Sequence, residues 1–436
     1  MYKAASTPLR RRTVTALAAT AATVAFLLAG CSGTSGSDAK TTITLSMQQT
    51  DVKKGDPTTW AIVQAFEKKY PNITVTVTGQ PVAQHNQAID VAAQSNTLPT
   101  VFWLFSADTG KKLTKAGALL DLGPILKDEG LTSKFNTTVL NSFKEGSTQF
   151  GVPYQALLTG FYVNKKILSD NGLKQPVTWD DLVNVAKVLS GKGITTISNG
   201  ASQSSFSVWA FLTCLDRFGY DDVIQDILSG KASYDNPDFL KFYQALAELQ
   251  KAGAFSSNVA TQTYDQAVSD FANGKAAFLD SGVWASGQLQ SSPVGADTGF
   301  WVGPQFSNGV GEQNIVMNVV GAPLAVSAQV KKGSAEYKAV EKFIGFYYSD
   351  AGQQIFADNG QPPVTTVSPK VAATNTVFQS VLDAAKGLAV PLAQPDQYLS
   401  TASQNVMYDS IYGVIEGQLT PEAAVDMVQK AIAANK

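Results

Sequence analysis

Histidine and cysteine are nearly missing from this chain: 436 residues carry one histidine, His85, and two cysteines, Cys31 and Cys214. No His/Cys set for a zinc site can be assembled, and no histidine is spare for a serine-type triad. Charge is scarce as well. Only 16% of residues are charged, with 33 Lys plus Arg against 35 Asp plus Glu, so no basic excess exists to neutralise a phosphate backbone and nucleic acid is not expected as a partner. Gly191-Lys192-Gly193 lacks the length and the Ser/Thr of a phosphate-cradling loop. There is no internal repeat, no coiled-coil heptad and no long charge run, and neither a cofactor nor a metal is expected. What the chain does have is apolar residues, 44% of the total with 10% aromatic, enough to fill at least two cores.

Residues 1–30 read as an address. Arg10, Arg11 and Arg12 precede an apolar run from Thr13 to Leu28, short for a spanning helix and typical of an export signal. Leu28-Ala29-Gly30-Cys31 resembles the bacterial lipobox, in which the cysteine takes a diacylglycerol and becomes the new N-terminus. Its removal takes Lys3 and the three arginines from the basic residues and no acid, leaving 29 against 35, net −6. Residues 31–41 then form a flexible tether after lipidated Cys31, placing the protein on the extracytoplasmic face of the cell membrane. With Cys31 lipidated, Cys214 has no disulfide partner; in Phe211-Leu212-Thr213-Cys214-Leu215 it reads as a small buried hydrophobe.

Strand and helix signals alternate in the remainder. Ile43, Leu45 and Met47 alternate with Thr44 and Ser46, as Ile73, Val75 and Val77 do with threonines, which is the period of strands. Between them Trp60, Val63, Phe66 and Tyr70 recur at helical spacing, giving a βαβ unit and an α/β fold class. Thr178 with Asp181, Asn236-Pro237, Ser334 and Thr420-Pro421 begin further helices. About 400 residues after the signal suggest two domains, yet no linker divides them. Ser291 to Gly311 and Gly360 to Pro369 are loop-like insertions, which suits lobes assembled from non-contiguous pieces.

Several blocks resemble one family. Gly151-Val152-Pro153-Tyr154, Phe161-Tyr162-Val163-Asn164-Lys165 and Pro176-Val177-Thr178-Trp179-Asp180-Asp181-Leu182 are similar to the central signature of ABC-transporter sugar-binding lipoproteins, relatives of maltose-binding protein. Asp270 to Phe278 running into Ser281-Gly282-Val283-Trp284, then Gly360-Gln361-Pro362-Pro363 and Gly417 to Ala424, resemble later blocks in the family's order. The resemblance implies a two-lobed periplasmic-binding-protein-like fold with discontinuous lobes and a multi-crossing hinge. The N-terminal lobe would comprise 42–156 and 280–325, the C-terminal lobe 157–279 and 326–436. It further implies a monomer that closes on a mono- or oligosaccharide, transforms nothing, and hands it to the permease subunits of an importer.

A pyranose presents an apolar face and a rim of hydroxyls, so its site needs flat aromatic surfaces and planar polar side chains. On the family pattern Trp284 is the expected stacking platform, with Trp209 and Phe206 in the aromatic segment of the second lobe. Topology places Gln48, Gln49 and Asp51 after the first strand and Phe105, Ser106 and Asp108 after the strand Val101 to Leu104. Tyr154 and Gln155 precede the first hinge crossing, Asn318 begins the last, and Gln404 and Asn405 occupy a position where relatives place a stacking aromatic. Trp60, Trp103 and Trp179 read as core, Trp301 has no assigned role, and His85 reads as a solvated helix residue. Two other classes stay open: a secreted carbohydrate hydrolase, which requires two carboxylates flanking a bond, and the same fold with a polyamine, peptide or phosphodiester as cargo.

Overall fold

The computed structural model describes residues 40–202, 208–366, 370–391 and 393–435. The expected signal peptide, Cys31, nearly all of the tether and Phe206 lie outside these residues. Among the described residues the strands are β1 (Thr41–Met47), β2 (Ile73–Gly79), β3 (Val101–Trp103), β4 (Lys144–Glu145), β5 (Thr148–Gln149), β6 (Gly151–Asn164), β7 (Thr195–Ser198), β8 (Ala276–Gly282), β9 (Thr298–Trp301) and β10 (Asn318–Val326). The alternation in β1 turns Ile43, Leu45 and Met47 fully inward. β1 pairs with β2 in parallel from Thr41 opposite Ile73 to Met47 opposite Gly79, and the helix Pro57–Lys69 joins them, burying Ile62, Val63 and Phe66. Asp56 caps that helix through Thr59 N at 3.0 Å, with Pro57 in its first turn.

Eight strands form the main sheet in the order β2-β1-β3-β10-β6-β8-β7, with β9 also on β6; β4 and β5 make a separate hairpin. β6 divides the sheet into halves. Its first residues, Gly151 to Leu158, run antiparallel to β10, whereas Thr159 to Val163 pair with β8 and Phe161 to Asn164 with β9. Strand ends and connecting loops of both halves therefore meet around the middle of β6.

The pairing departs from the expected division in two segments. β8, β9 and the helix between them, Ser286–Gln290, stay with the second half, because β9 pairs with the far end of β6 and Leu289 and Phe300 share a core with Tyr162 and Phe271. The helices Ala335–Tyr347 and Asp350–Asp358 return to the first half, the former packing on β1, with the Phe343 ring edge-on to Phe66 at 5.2 Å.

His85 is corrected as well. It lies on the buried face that Val82 and Ile89 mark at spacings of three and four, is 1% exposed, and holds Trp103 O at 2.9 Å through Nε2. Trp301 is core, its ring 5.5 Å from Phe161 and 5.8 Å from Phe278. Trp179 is core as expected, stacked on Phe306 at 4.9 Å, and Trp60 is half-buried. Cys214 is fully buried and its thiol is pushed up to about 11 by burial.

Among the described residues Asn96 and Ala322 are the non-glycine residues at positive φ, a region that asparagine visits readily and alanine does not. Ala322, between Gly321 opposite Gln155 and Pro323 opposite Pro153, adopts φ +49°, a conformation that costs a residue with a Cβ about 1–2 kcal/mol. Ala322→Gly is expected to raise stability by about 1 kcal/mol, since the strain relieved exceeds the freedom glycine adds to the unfolded chain. An unchanged or lower denaturation midpoint would refute this.

Candidate ligand-binding cleft

Where the halves meet lies a narrow cleft, part of it open to solvent. The first half contributes Gln48 and Gln49 after β1, Gly55 and Asp56 at the following helix start, and Trp103 and Phe105 at the end of β3. Tyr154, Gln155 and Leu157 enter from the middle of β6, facing Ala322 of β10, and the second half supplies Trp209, Trp284 and Gln397; Gln361 completes the lining. Seven expected site residues thus come together: Gln48, Gln49, Phe105, Tyr154, Gln155, Trp209 and Trp284.

The aromatic rings meet at steep angles. Trp209 and Trp284 lie 6.0 Å apart with their planes at 82°, and Trp103 and Phe105 lie 5.9 Å apart at 73°, the edge-to-face geometry that ring quadrupoles favour. Trp284 Nε1 donates to the Tyr264 hydroxyl at 2.7 Å, which in turn bonds Ser281 Oγ at 2.7 Å. The indole lies directly over Gly282, where a Cβ would come within 2.1 Å of the ring. The glycine two residues before this tryptophan is therefore a requirement of close approach, not of backbone conformation.

Tyr154 offers its ring and not its hydroxyl, which donates to the Asp56 carboxylate and lies 3.2 Å from Thr59 Oγ1. Burial raises the pKa of both Asp56 and Tyr154. Asp56 is the single carboxylate among the described lining residues, and none of them is basic. Gln48 Oε1 and Trp103 Nε1 are buried and have no hydrogen-bond partner, so a ligand hydroxyl reaching either would remove a desolvation cost of about 1–3 kcal/mol.

Six expected residues take other roles. Ser106 is buried and caps the helix Ala107–Lys115 through Thr109 N at 3.3 Å. Asp51 is exposed and caps the short helix Val52–Gly55 through Lys54 N at 3.3 Å. Asp108 opens the helix Ala107–Lys115, pairs with Lys112 at 2.8 Å, and accepts from the Thr401 hydroxyl at 3.4 Å. Asn318 is exposed opposite Leu158 at the start of β10. Gln404 is buried behind the wall, its Nε2 donating to the carbonyls of Asp396 at 3.0 Å and Leu399 at 3.2 Å, which fixes the turn that presents Gln397. Asn405, the next helical residue, is exposed. Trp103 was expected in the core: it is buried, but it lines the cleft. Asp56 and Gln361 sat in recognisable local patterns, a helix start and a family block, that carry no cleft signal; Gln397 had none.

The turn holding Gln397 titrates. Asp396 is fully buried, accepts from the Tyr408 hydroxyl, and is raised by burial to about 6. The folded protein therefore keeps a proton that the unfolded chain releases near the ordinary carboxylate value, so this contribution to stability is present at low pH and is lost as pH rises through about 6. Burial raises Asp216 and Asp280 with the same sign. The melting temperature should fall between pH 5 and pH 7, and Asp396→Asn should flatten that slope. A slope unchanged by the substitution would remove Asp396 as its source.

With this geometry in hand, residues 50–354 match the family profile described as bacterial extracellular solute-binding protein. The chain belongs to that family. Among curated proteins, this solute-binding protein is 23% identical over 355 residues to the multiple sugar-binding protein of Streptococcus mutans, covering 78% of this chain and 79% of that one. It is 28% identical over 286 residues to the sn-glycerol-3-phosphate-binding periplasmic protein UgpB of Agrobacterium fabrum, with 61% of each chain covered. Among solved structures it resembles a chitin oligosaccharide binding protein with a TM-score of 0.79 at 23% identity, over 91% of this chain and 99% of that one. Maltose-bound MalE3 of T. maritima gives 0.73 at 22% identity, over 90% and 99%. The fold is the two-lobed α/β architecture of those proteins.

Proposed function

We propose that this solute-binding protein captures an uncharged mono- or oligosaccharide between its lobes, converts nothing, and delivers it as a monomer to the permease of an ABC importer. The observation that carries this reading is the lining itself. Five aromatic side chains and five glutamines converge on one cleft with no basic residue among them, matching the apolar faces and hydroxyl rim of a sugar. The relation to glycerol-3-phosphate-binding proteins raises a charged cargo as the alternative, but a phosphate calls for Arg, Lys or a free helix N-terminus; the described lining offers neither cation, and its two helix starts already donate to the carboxyl groups of Asp56 and Asp280. Hydrolysis calls for two carboxylates, whereas the lining carries Asp56 alone, engaged by Tyr154.

The first lobe consists of the strands from β1 to the first half of β6 with their helices, β10, and the helices Ala335–Tyr347 and Asp350–Asp358, and the second of the remainder. Closure follows if the ligand touches both lobes at once, because only differential contact shifts the open and closed populations. A panel of mono- and oligosaccharides with sn-glycerol-3-phosphate as the charged arm, read by thermal shift, tests the proposal. A sugar should raise the melting temperature with concentration; a shift with the phosphate alone, or with none, counts against it. For the anchor, Cys31→Ser should move the protein from the membrane to the soluble fraction, and unchanged membrane retention would dismiss the lipid.

A further inference from the structure

Asp280 is the ionisable residue of β8, fully buried and opposite Phe161 of β6. Its Oδ1 accepts from the backbone N–H of Ala210 at 2.8 Å, while Oδ2 is buried without a hydrogen-bond partner. Ala210 lies in the first turn of the helix Trp209–Asp216, whose own N-cap, Val208, supplies no side-chain bond. One of the orphan N–H groups that open every helix is thus satisfied here from a neighbouring strand. Among the described residues no Lys or Arg forms an ion pair with Asp280, and burial raises its pKa, so the carboxyl group serves there as a hydrogen-bond acceptor.

The arrangement has a consequence for the cleft. β8 carries the cap, and two residues beyond it Gly282 opens the turn to Trp284, whose indole folds back over it. The capped helix begins with Trp209. A single strand therefore fixes both rings of the aromatic corner, one covalently and one through Asp280.

We propose that Asp280 is a positioning residue for ligand recognition: it holds Trp209 edge-on to Trp284 and so sets the aromatic surface that the cleft presents. The inference rests on the sugar-binding reading for its effect on affinity, but not for its effect on ring placement. Two indoles 6.0 Å apart couple their electronic transitions, and the exciton signal of the pair in circular dichroism reports their mutual placement without any ligand.

Asp280→Asn keeps an acceptor at the position of Oδ1 and should retain the couplet and an affinity within about threefold of the parent for the sugar selected from the panel. Asp280→Ala should lose the couplet as Trp209→Phe does and weaken binding about tenfold, the scale of one displaced aromatic contact. In the Trp209→Phe background, Asp280→Ala should cost no further affinity. If alanine prevents folding, Asp280→Ser replaces it, being polar but too short to reach the helix. An unchanged couplet in the alanine or serine variant, or an equal loss of affinity in both backgrounds, overturns the proposal. If no sugar binds the parent protein, the functional reading fails while the couplet still decides whether Asp280 places Trp209.

Discussion

Trp284→Ala is expected to abolish the sugar-dependent thermal shift while leaving the unliganded protein folded. The indole is half-buried and packs at the junction of two hydrophobic clusters, so truncation removes the ring surface facing the cleft and the Nε1 bond to Tyr264. A stacked tryptophan at the centre of a desolvated site is worth about 3 kcal/mol, roughly a hundredfold in affinity. The stability loss should be smaller, about 2 kcal/mol, because the ring is not fully enclosed and the space it leaves opens to the cleft. Calorimetric titration and a denaturation curve on the same variant separate the two quantities. Near-normal binding with a collapsed melting temperature would show that Trp284 is core and carries no recognition.

Arg217→Met should cost about 4 kcal/mol of stability. This arginine is 0% exposed, among the largest fully buried side chains, yet among the described residues it forms no ion pair with a carboxylate: Nε donates to Gln313 O at 3.2 Å, and Nη2 to Val302 O at 3.0 Å and Ile315 O at 3.1 Å. The guanidinium gathers three carbonyls of the segment that leads into β10, a task its planar fork of donors suits. Methionine fills the space of the stem but leaves those acceptors buried without partners, and each such loss costs about 1–3 kcal/mol. Chemical denaturation measures the effect. A change below about 1 kcal/mol would mean that the carbonyls find other donors when the arginine is gone. Arg217→Lys should recover part of the loss, since a single ammonium cannot serve all three.

Much of the fold was legible because local chemistry repeats along it. Alternation in β1 and β2, helical spacing in Pro57–Lys69, and the Thr178 and Asp181 capping box, in which each side chain bonds the other's backbone N–H, all act over a few residues. The Gly282 and Trp284 pair was legible for the same reason, its constraint being a contact between near neighbours. The residues misread are those whose partner lies far away. His85 in a polar run gave no hint that its face meets Trp103, and Gln404 looked like a contact when it serves as a brace. The placement of β9 on β6 depends on a register between segments more than a hundred residues apart.

By itself, then, the sequence determined the α/β character and the chemical alphabet of the site, aromatic and amide with little charge. The tertiary structure alone decided which of those rings and amides share one cleft, which carboxylates serve as caps, and which half of the sheet each returning segment joins. The reason is physical: periodicity and capping are set by neighbours in the chain, whereas strand order, ring angles and the desolvation that turns Asp280 and Arg217 into fixed parts of the scaffold arise only from contacts between distant segments.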